Sequence, residues 1–359
     1  MPVLFEINSA ADCYTVDQEH GLFARSLPEM AGGIVLADQY FADRLAGQNL
    51  NPIFISATEQ SKSLDAIGDV ITRMRSLGAT RASHLWAIGG GAIQDVAAFV
   101  ASIYMRGISW TYVPTTLLGM VDSCIGGKSS INVGAYKNII GTFHVPRAVL
   151  IDPGLTASLS SEQRVAGLVE AAKICFCRGE HVFAQYLAQS PAPSLSPTAF
   201  GHIIALSLRT KKWFIEIDEF DRKERLLLNF GHTFGHALEG ASNYRLGHGI
   251  GVGVGLLCAL SLSRALLGGA PGGAAGALEA HLLHLLGTLE VLPGILRDID
   301  LEEAWDRLKA DKKHEVAHYR FVTLDAMGRV ELIRLPRELR TDQMVLSALS
   351  NALEELIPS

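Results

Sequence analysis

A chain of 359 residues, 48% hydrophobic and 19% charged, exceeds one ordinary domain and is too apolar for large-scale disorder, so two packed domains are expected. Its formal net charge of -6 excludes a general binder of nucleic acid, which needs a basic surface to displace counterions. Positive charge that serves function must then be gathered locally, where it holds a small anion. The cysteines, Cys13, Cys124, Cys175, Cys177 and Cys258, show neither CxxC nor finger spacing, and no disulfide framework is expected. Glu6 and Asp12 argue against a signal peptide. The longest apolar run, Ile250 to Leu262, falls short of the roughly 20 residues of a membrane span. A cytoplasmic protein with one deeply buried helix is the expectation, with no membrane partner.

In chain order, apolar runs at 33–37, 51–55, 84–88 and 110–113 read as buried parallel strands. The stretch Ser63 to Leu77 has Leu64, Ile67, Val70, Ile71 and Met74 on one helical face and fits a crossover helix. After Pro153 the strand signal fades into Ala/Leu-rich helical segments around 162–177, 199–218, 232–241 and 249–267. The glycine cluster from Gly268 to Gly273 reads as a loop between helices. The expected architecture is an N-terminal α/β domain with a Rossmann-like parallel sheet over 1–155 and a mainly α-helical domain over 156–359.

The strand ending at Ile88 runs into Gly89-Gly90-Gly91-Ala92-Ile93-Gln94-Asp95 and then a helix. Bare backbone N–H groups at a helix N-terminus let a pyrophosphate approach, although a glycine-rich turn alone is often only a tight connection. Next come Pro114-Thr115-Thr116, Asp122, Gly126-Gly127-Lys128 and Lys137-Asn138. Glycines flanking a lysine, with a second lysine and an asparagine behind, suit an oxyanion such as a phosphate, where the plain alternative is a solvated loop. A third constellation holds Glu170, Lys173, Arg225, Asn229, His232, His236 and His248. Glu170 and Lys173 share a helix face, as do His232 and His236. Two histidines and a carboxylate make an open divalent-metal site, and spacing leaves all three histidines eligible.

These strings, with Tyr104-Met105-Arg106-Gly107 and above all the run Leu228 to Glu239, resemble the dehydroquinate synthases, sugar phosphate cyclases, over roughly Glu59 to Lys313. The resemblance implies that Glu170, His232 and His248 ligate Zn2+ or Co2+, leaving His236 out. It implies that Asp38, Glu59, Lys62, Gly90, Gly91, Ala92, Asp95, Thr115, Thr116, Asp122 and Lys137 surround NAD. Lys128, Asn138, Lys312 and Arg106 would hold the substrate phosphate, Arg106 reaching across a homodimer interface. Lys211, Arg225 and Asn229 would hold the carboxylate end, and Lys173, Lys211 and His236 would position or exchange protons. The implied reaction turns 3-deoxy-arabino-heptulosonate 7-phosphate into 3-dehydroquinate and phosphate.

Three departures stand against the family pattern: Gln94 replaces a glycine, Ile250 replaces a glutamate expected after the last metal histidine, and a glycine-leucine signature is absent from Asn8 to Phe23. The missing carboxylate puts the orientation of His248 in question. The rival readings are a sibling cyclase making a valiolone from neutral sedoheptulose 7-phosphate, a metal-dependent alcohol dehydrogenase, and a non-catalytic scaffold. Arg225 with Asn229 argues against the first, Lys128 with Asn138 against the second, and the full set of site residues against the third.

Overall fold

The computed structural model describes residues 3–9, 12–134 and 136–357. The chain opens with the strands β1 (Val3–Asn8) and β2 (Cys13–Gln18), the short helix α1 (Leu22–Ser26), β3 (Ile34–Asp38), the single turn α2 (Ala42–Leu45) and β4 (Pro52–Ile55). It continues through α3 (Leu64–Ser76), β5 (His84–Gly89), α4 (Gly91–Ile103), β6 (Ser109–Pro114), the hairpin β7 (Ile131–Val133) and β8 (Tyr136–Ile140), and β9 (Ala148–Ile151). Beyond it come α5 (Ser161–Arg178), α6 (Glu180–Leu187), α7 (Pro197–Ile217), α8 (His232–Ala241) and α9 (His248–Leu267). The last elements are α10 (Ala275–Gly287), α11 (Leu292–Arg297), α12 (Leu301–Lys309), the strands β10 (His318–Leu324) and β11 (Val330–Pro336), and α13 (Leu339–Leu356).

Among the described residues the first unit, 1–159 with 196–219, holds a seven-stranded sheet in the order β1-β2-β9-β6-β5-β3-β4. Every pairing from β2 to β4 is parallel, and only β1 with β2 is antiparallel. The central strands β3, β5 and β6 are buried almost throughout, as expected of a parallel sheet covered on both faces. The chain steps from β3 outward to β4 and then back to β5 on the other side of β3. The topological switch point, where open α/β sheets bind ligands, therefore lies between the C-terminal ends of β3 and β5, at Asp38 and Gly89.

The expected strands and the helix over 63–77 appear where the sequence places them. The edge strand β1, its neighbour β2 and the four-residue β9 escaped notice, being short or mixed in polarity. The expected domain limit also needs correction. Residues 196–219 belong with the sheet: Ser207 Oγ of α7 donates to Val121 O at 2.9 Å, and Gln18 Nε2 donates to Gly201 O at 2.8 Å.

The second unit, 160–195 with 220–359, is helical apart from the antiparallel β10–β11 pair, a hairpin that the reading of a fading strand signal missed. Its turn is built by Asp325, whose side chain accepts from Met327 N and Arg329 N, both at 2.9 Å. α9 is long and apolar enough to cross a membrane, yet it is mostly buried within the protein, so it serves as the core helix of this unit. α8 lies against it through glycines. A Cβ on Gly235 would sit 2.8 Å from Gly251 O, and one on Gly255 would sit 2.1 Å from Gly231 O. Backbone meets backbone there.

Gly255→Ala is expected to destabilise the protein by about 1 to 3 kcal/mol, the usual scale of overpacking, despite the roughly 1 kcal/mol that alanine gains over glycine in a helix. The measurement is the urea midpoint at constant slope. An unchanged midpoint would show that the two helices separate at no cost.

Candidate functional site

In the first unit, the C-terminal ends of β3, β5 and β6 carry Asp38, the triple glycine and Thr115-Thr116. Asp38 is half-buried and accepts from Tyr40 N at 3.1 Å. Gly90 caps α4, and a Cβ there would lie 2.9 Å from Thr116 Cγ2. A side chain at position 90 is therefore excluded, and beside it Gly91 and Ala92 open α4, where backbone N–H groups suit an anion. Thr115 N donates to Gly89 O at 3.0 Å, and Tyr112 OH donates to the same oxygen at 3.0 Å, fixing the turn.

One turn into α4, Asp95 accepts from Ser130 N at 3.0 Å and from Ser130 Oγ at 3.2 Å and pairs with Lys62 Nζ at 2.6 Å. Burial raises the Asp95 carboxyl above its ordinary range, with Lys62 and Ser130 pulling the other way. Lys62, 6% exposed, also donates to Asn138 Oδ1 at 3.2 Å. Glu59 accepts from Asn132 Nδ2 at 2.9 Å and pairs with Lys137 at 3.4 Å. Burial works to raise the Glu59 carboxyl, but Lys62, Asn132 and Lys137 together hold it below its ordinary value. Glu59, Lys62, Asp95, Lys137 and Asn138 are thus engaged with one another, forming a brace that ties the hairpin loop to α4. Lys128 stands exposed beside this brace, bridged through its backbone to Phe143. Asp122 pairs with Lys211 of α7 at 2.8 Å, and Lys211, 6% exposed, also donates to Asp122 O at 2.5 Å.

Gln94 does not enter the anion approach. Its buried side chain donates to Ser123 O at 2.6 Å and accepts from Ser123 Oγ at 2.6 Å. Arg106 lies past the far end of the 13-residue α4, about 20 Å along the axis from Gly91. It is exposed, in left-handed conformation with φ 71 directly after Met105 at φ 48. Within one chain, α4 separates it from the glycine turn.

In the second unit, α5 starts from a Ser160–Gln163 capping box and carries Glu170, 0% exposed, and Lys173, 2% exposed, on its buried face. Lys173 Nζ lies 2.5 Å from Glu170 Oε2. The other oxygen, Oε1, is buried without a hydrogen-bond partner among the described residues. It sits 3.8 Å from His232 Nε2 and 3.7 Å from His248 Nε2. These gaps are too long for hydrogen bonds. They approach the roughly 3.4 Å that separates donors held about 2.1 Å from a tetrahedral cation, so the residues present fit a divalent metal. Burial, followed by the neighbouring Lys173, His236, His248 and Lys313 charges, lowers the His232 pKa well below its ordinary value and keeps it neutral, as a ligand must be. The ring nitrogens of His232, His236 and His248 fall within 4.8 Å of one another, so distance alone does not choose among the three histidines. His248 Nδ1 meets Glu239 Oε1 at 2.9 Å. Burial would lower the His248 pKa, but Glu239 and Glu170 outweigh it and raise it.

Arg225 is 4% exposed on the short 3-10 helix Glu224–Asn229 that leads into α8. Asn229 Nδ2 donates to Leu226 O at 3.0 Å within that turn. Lys312 is exposed, whereas its neighbour Lys313 has a buried Nζ with no hydrogen-bond partner among the described residues. Burial lowers the Lys313 pKa against the pull of Asp311 and Asp221. Sequence reasoning passed over Lys313 because two adjacent lysines look alike until a fold buries one. It passed over Glu239 because a glutamate on a helix is ordinarily a solvated one.

Lys62→Met should leave the half-buried Asp95 carboxylate with Ser130 but without its counter-charge and cost about 3 kcal/mol, the low end for one member lost from a buried pair. Lys62→Met with Asp95→Asn should recover most of that. Chemical denaturation of both variants measures it, and additive losses would show that the two side chains do not support each other.

Comparison with known proteins bears on the same residues. Residues 52–166 match the family model described as 3-dehydroquinate synthase N-terminal, and residues 167–314 match 3-dehydroquinate synthase C-terminal. The 3-dehydroquinate synthase of Xylella fastidiosa is 38% identical over 319 residues, covering 84% of this chain and 85% of that protein. That of Solibacter usitatus is 39% identical over 247 residues, 65% of this chain and 69% of that protein. Among solved structures, a 2-deoxy-scyllo-inosose synthase complexed with carbaglucose-6-phosphate, NAD+ and Co2+ superposes with a TM-score of 0.80 at 22% identity, covering 97% of this chain and 99% of that one. The 2-epi-5-epi-valiolone synthase of Streptomyces hygroscopicus, with NAD+ and Zn2+ bound, gives 0.77 at 22%, covering 98% and 99%. At that identity the two structures speak for the fold, whereas the matched family models and the relatives speak for descent: the chain belongs to the 3-dehydroquinate synthase family.

Proposed function

We propose that this chain is an NAD- and divalent-metal-dependent cyclase that converts 3-deoxy-arabino-heptulosonate 7-phosphate into 3-dehydroquinate and phosphate. The observation that carries the reading is the buried Glu170 carboxylate, one oxygen held by Lys173 and the other facing two imidazoles at 3.8 and 3.7 Å. When bound, NAD takes and returns a hydride, and Zn2+ or Co2+ polarises the oxygens at the carbon being oxidised. Glu170, His232 and His248 would hold the metal. Asp38, Gly90, Gly91, Ala92, Thr115 and Thr116 would hold the dinucleotide at the sheet's switch point, with Glu59, Lys62, Asp95, Asp122 and Lys137 bracing that edge.

The chain's own side chains then serve the successive steps of oxidation, phosphate elimination, reduction, ring opening and aldol closure. Lys128, Asn138 and Lys312 are assigned to the phosphate, where a fixed positive charge stabilises the leaving dianion. Arg106 is assigned there from a partner copy: its strained, exposed backbone and the exposed Ile103 and Met105 beside it fit a surface covered in a homodimer. Lys173, Lys211 and His236 hold or move protons, Lys211 doing so from its place on Asp122. Arg225 and Asn229 are assigned to the substrate carboxylate, since a guanidinium forks onto a carboxylate through two parallel hydrogen bonds. Cysteines that form no disulfide among the described residues agree with a reducing, cytoplasmic setting.

Incubation with the seven-carbon acid phosphate, NAD and Zn2+ should release phosphate and yield 3-dehydroquinate without net NADH. Sedoheptulose 7-phosphate should react worse by orders of magnitude in kcat/KM, because it leaves the carboxylate-binding groups without their partner. Arg225→Leu should lose activity on the acid and narrow the gap. Preference of the wild type for the neutral sugar would transfer the chain to the valiolone-type cyclases, and net NADH would point to an alcohol dehydrogenase.

His232→Ala and His248→Ala should each lose bound metal and turnover, while His236→Ala retains metal. Metal content after dialysis reports it directly, and stoichiometric zinc in either of the first two would overturn the ligand set.

A further inference from the structure

We infer that Glu239 is a positioning residue for the metal: by holding His248 Nδ1–H it fixes the tautomer and direction of that ring and so sets how tightly the Glu170–His232–His248 group binds a divalent cation. The inference rests on the ligand set proposed above. His248 opens α9, and its side chain is 42% exposed, so packing alone does not hold the ring. What does hold it is the 2.9 Å contact of Nδ1 with Glu239 Oε1. Against a carboxylate, Nδ1 is the donor, so the neutral ring, the form that binds a metal, carries its proton there and keeps the lone pair on Nε2. Nε2 is also the nitrogen that lies 3.7 Å from the buried Glu170 Oε1. A ring turned over, or protonated on Nε2, would present no lone pair there.

The surroundings of Glu239 are built for this contact. It lies eight residues after Gly231 and four after Gly235, on the same face of α8, the face that meets α9. It is 8% exposed. A Cβ on Gly251 would come within 2.9 Å of Glu239 Cγ, so the glycine one turn beyond His248 leaves the room through which the carboxylate reaches back. Ile250, which stands where the family resemblance leads one to expect a glutamate, is 2% exposed and apolar. It offers His248 no acceptor. The carboxylate that orients the histidine therefore comes from the neighbouring helix instead of from the turn after it.

The experiment is zinc affinity by competition against a chromophoric chelator, with the visible spectrum of the cobalt-loaded protein as a second readout. Glu239→Leu removes the acceptor and should weaken zinc binding about 10- to 100-fold, the usual cost of losing such an outer partner, and should alter the cobalt bands. Glu239→Gln keeps a neutral acceptor and should fall between wild type and leucine. Thermal stability of the metal-free protein should stay close to wild type in both. Wild-type zinc affinity in Glu239→Leu overturns the inference, as does a loss of metal-free stability with affinity unchanged, which would assign Glu239 to joining α8 and α9. If the leucine variant does not fold, Glu239→Asp decides: a carboxylate one methylene short should lose affinity towards the roughly 10-fold expected for a lost outer partner, and wild-type affinity overturns the inference. His248→Ala is the control, because retention of zinc there would sink the ligand set itself, whatever Glu239 does.

Discussion

The close approach of α8 and α9 is the constraint on which the second unit depends. A glycine contact of this kind brings two helix backbones nearer than any side chain allows, and the penalty for a Cβ falls on backbone atoms that cannot turn aside: Gly231 O for Gly255, and Gly251 O for Gly235. His232 opens one of these helices and His248 the other. Their imidazoles meet, with ring centroids 5.4 Å apart, because the helices do. The same contact sets Glu239 beside His248 and presents the pair to Glu170 on α5. Gly231, at φ 80, starts α8 from a left-handed turn that few other residues adopt readily.

Each unit buries charge, and each balances it differently. In the first, Asp95 is held by one lysine and two donors from Ser130, so its charge is answered within the fold. In the second, Glu170 has one oxygen on Lys173 and the other turned to two imidazoles that are not themselves hydrogen-bonded to it. Buried ion pairs contribute little net stability. A carboxylate with one oxygen turned to two imidazoles at the centre of a helical core contributes less, and the spacing of these donors suits the divalent cation proposed for them. The difference separates a brace from a proposed binding centre.

The sequence carried much of this arrangement, and its limits are physical. Apolar runs at β3, β5 and β6 were legible because both faces of a central parallel strand are buried. The pairing of Glu170 with Lys173 was legible because spacing of three residues on a helix has one geometric outcome. The β10–β11 hairpin was less so, since its alternation slips where apolar residues adjoin, at Phe321-Val322 and at Leu332-Ile333. The allegiance of α7 to the sheet rests on bonds such as Ser207 to Val121, which join residues 86 apart and leave no local trace. Composition could not tell Lys312 from Lys313, nor could it place Arg106 beyond the wrong end of α4 for its own glycine turn.

Gln94 and Ser123 give each other both of their short hydrogen bonds across 29 residues of chain. Loss of Gln94 leaves both the hydroxyl and the backbone carbonyl of Ser123 without this partner, at a cost of about 1 to 3 kcal/mol for each group left buried, whereas loss of the Ser123 hydroxyl removes one of the two bonds and leaves its carbonyl accepting from Gln94. The dependence is therefore one-sided: the glutamine keeps a backbone acceptor whatever side chain stands at 123, while the serine hydroxyl depends on the glutamine.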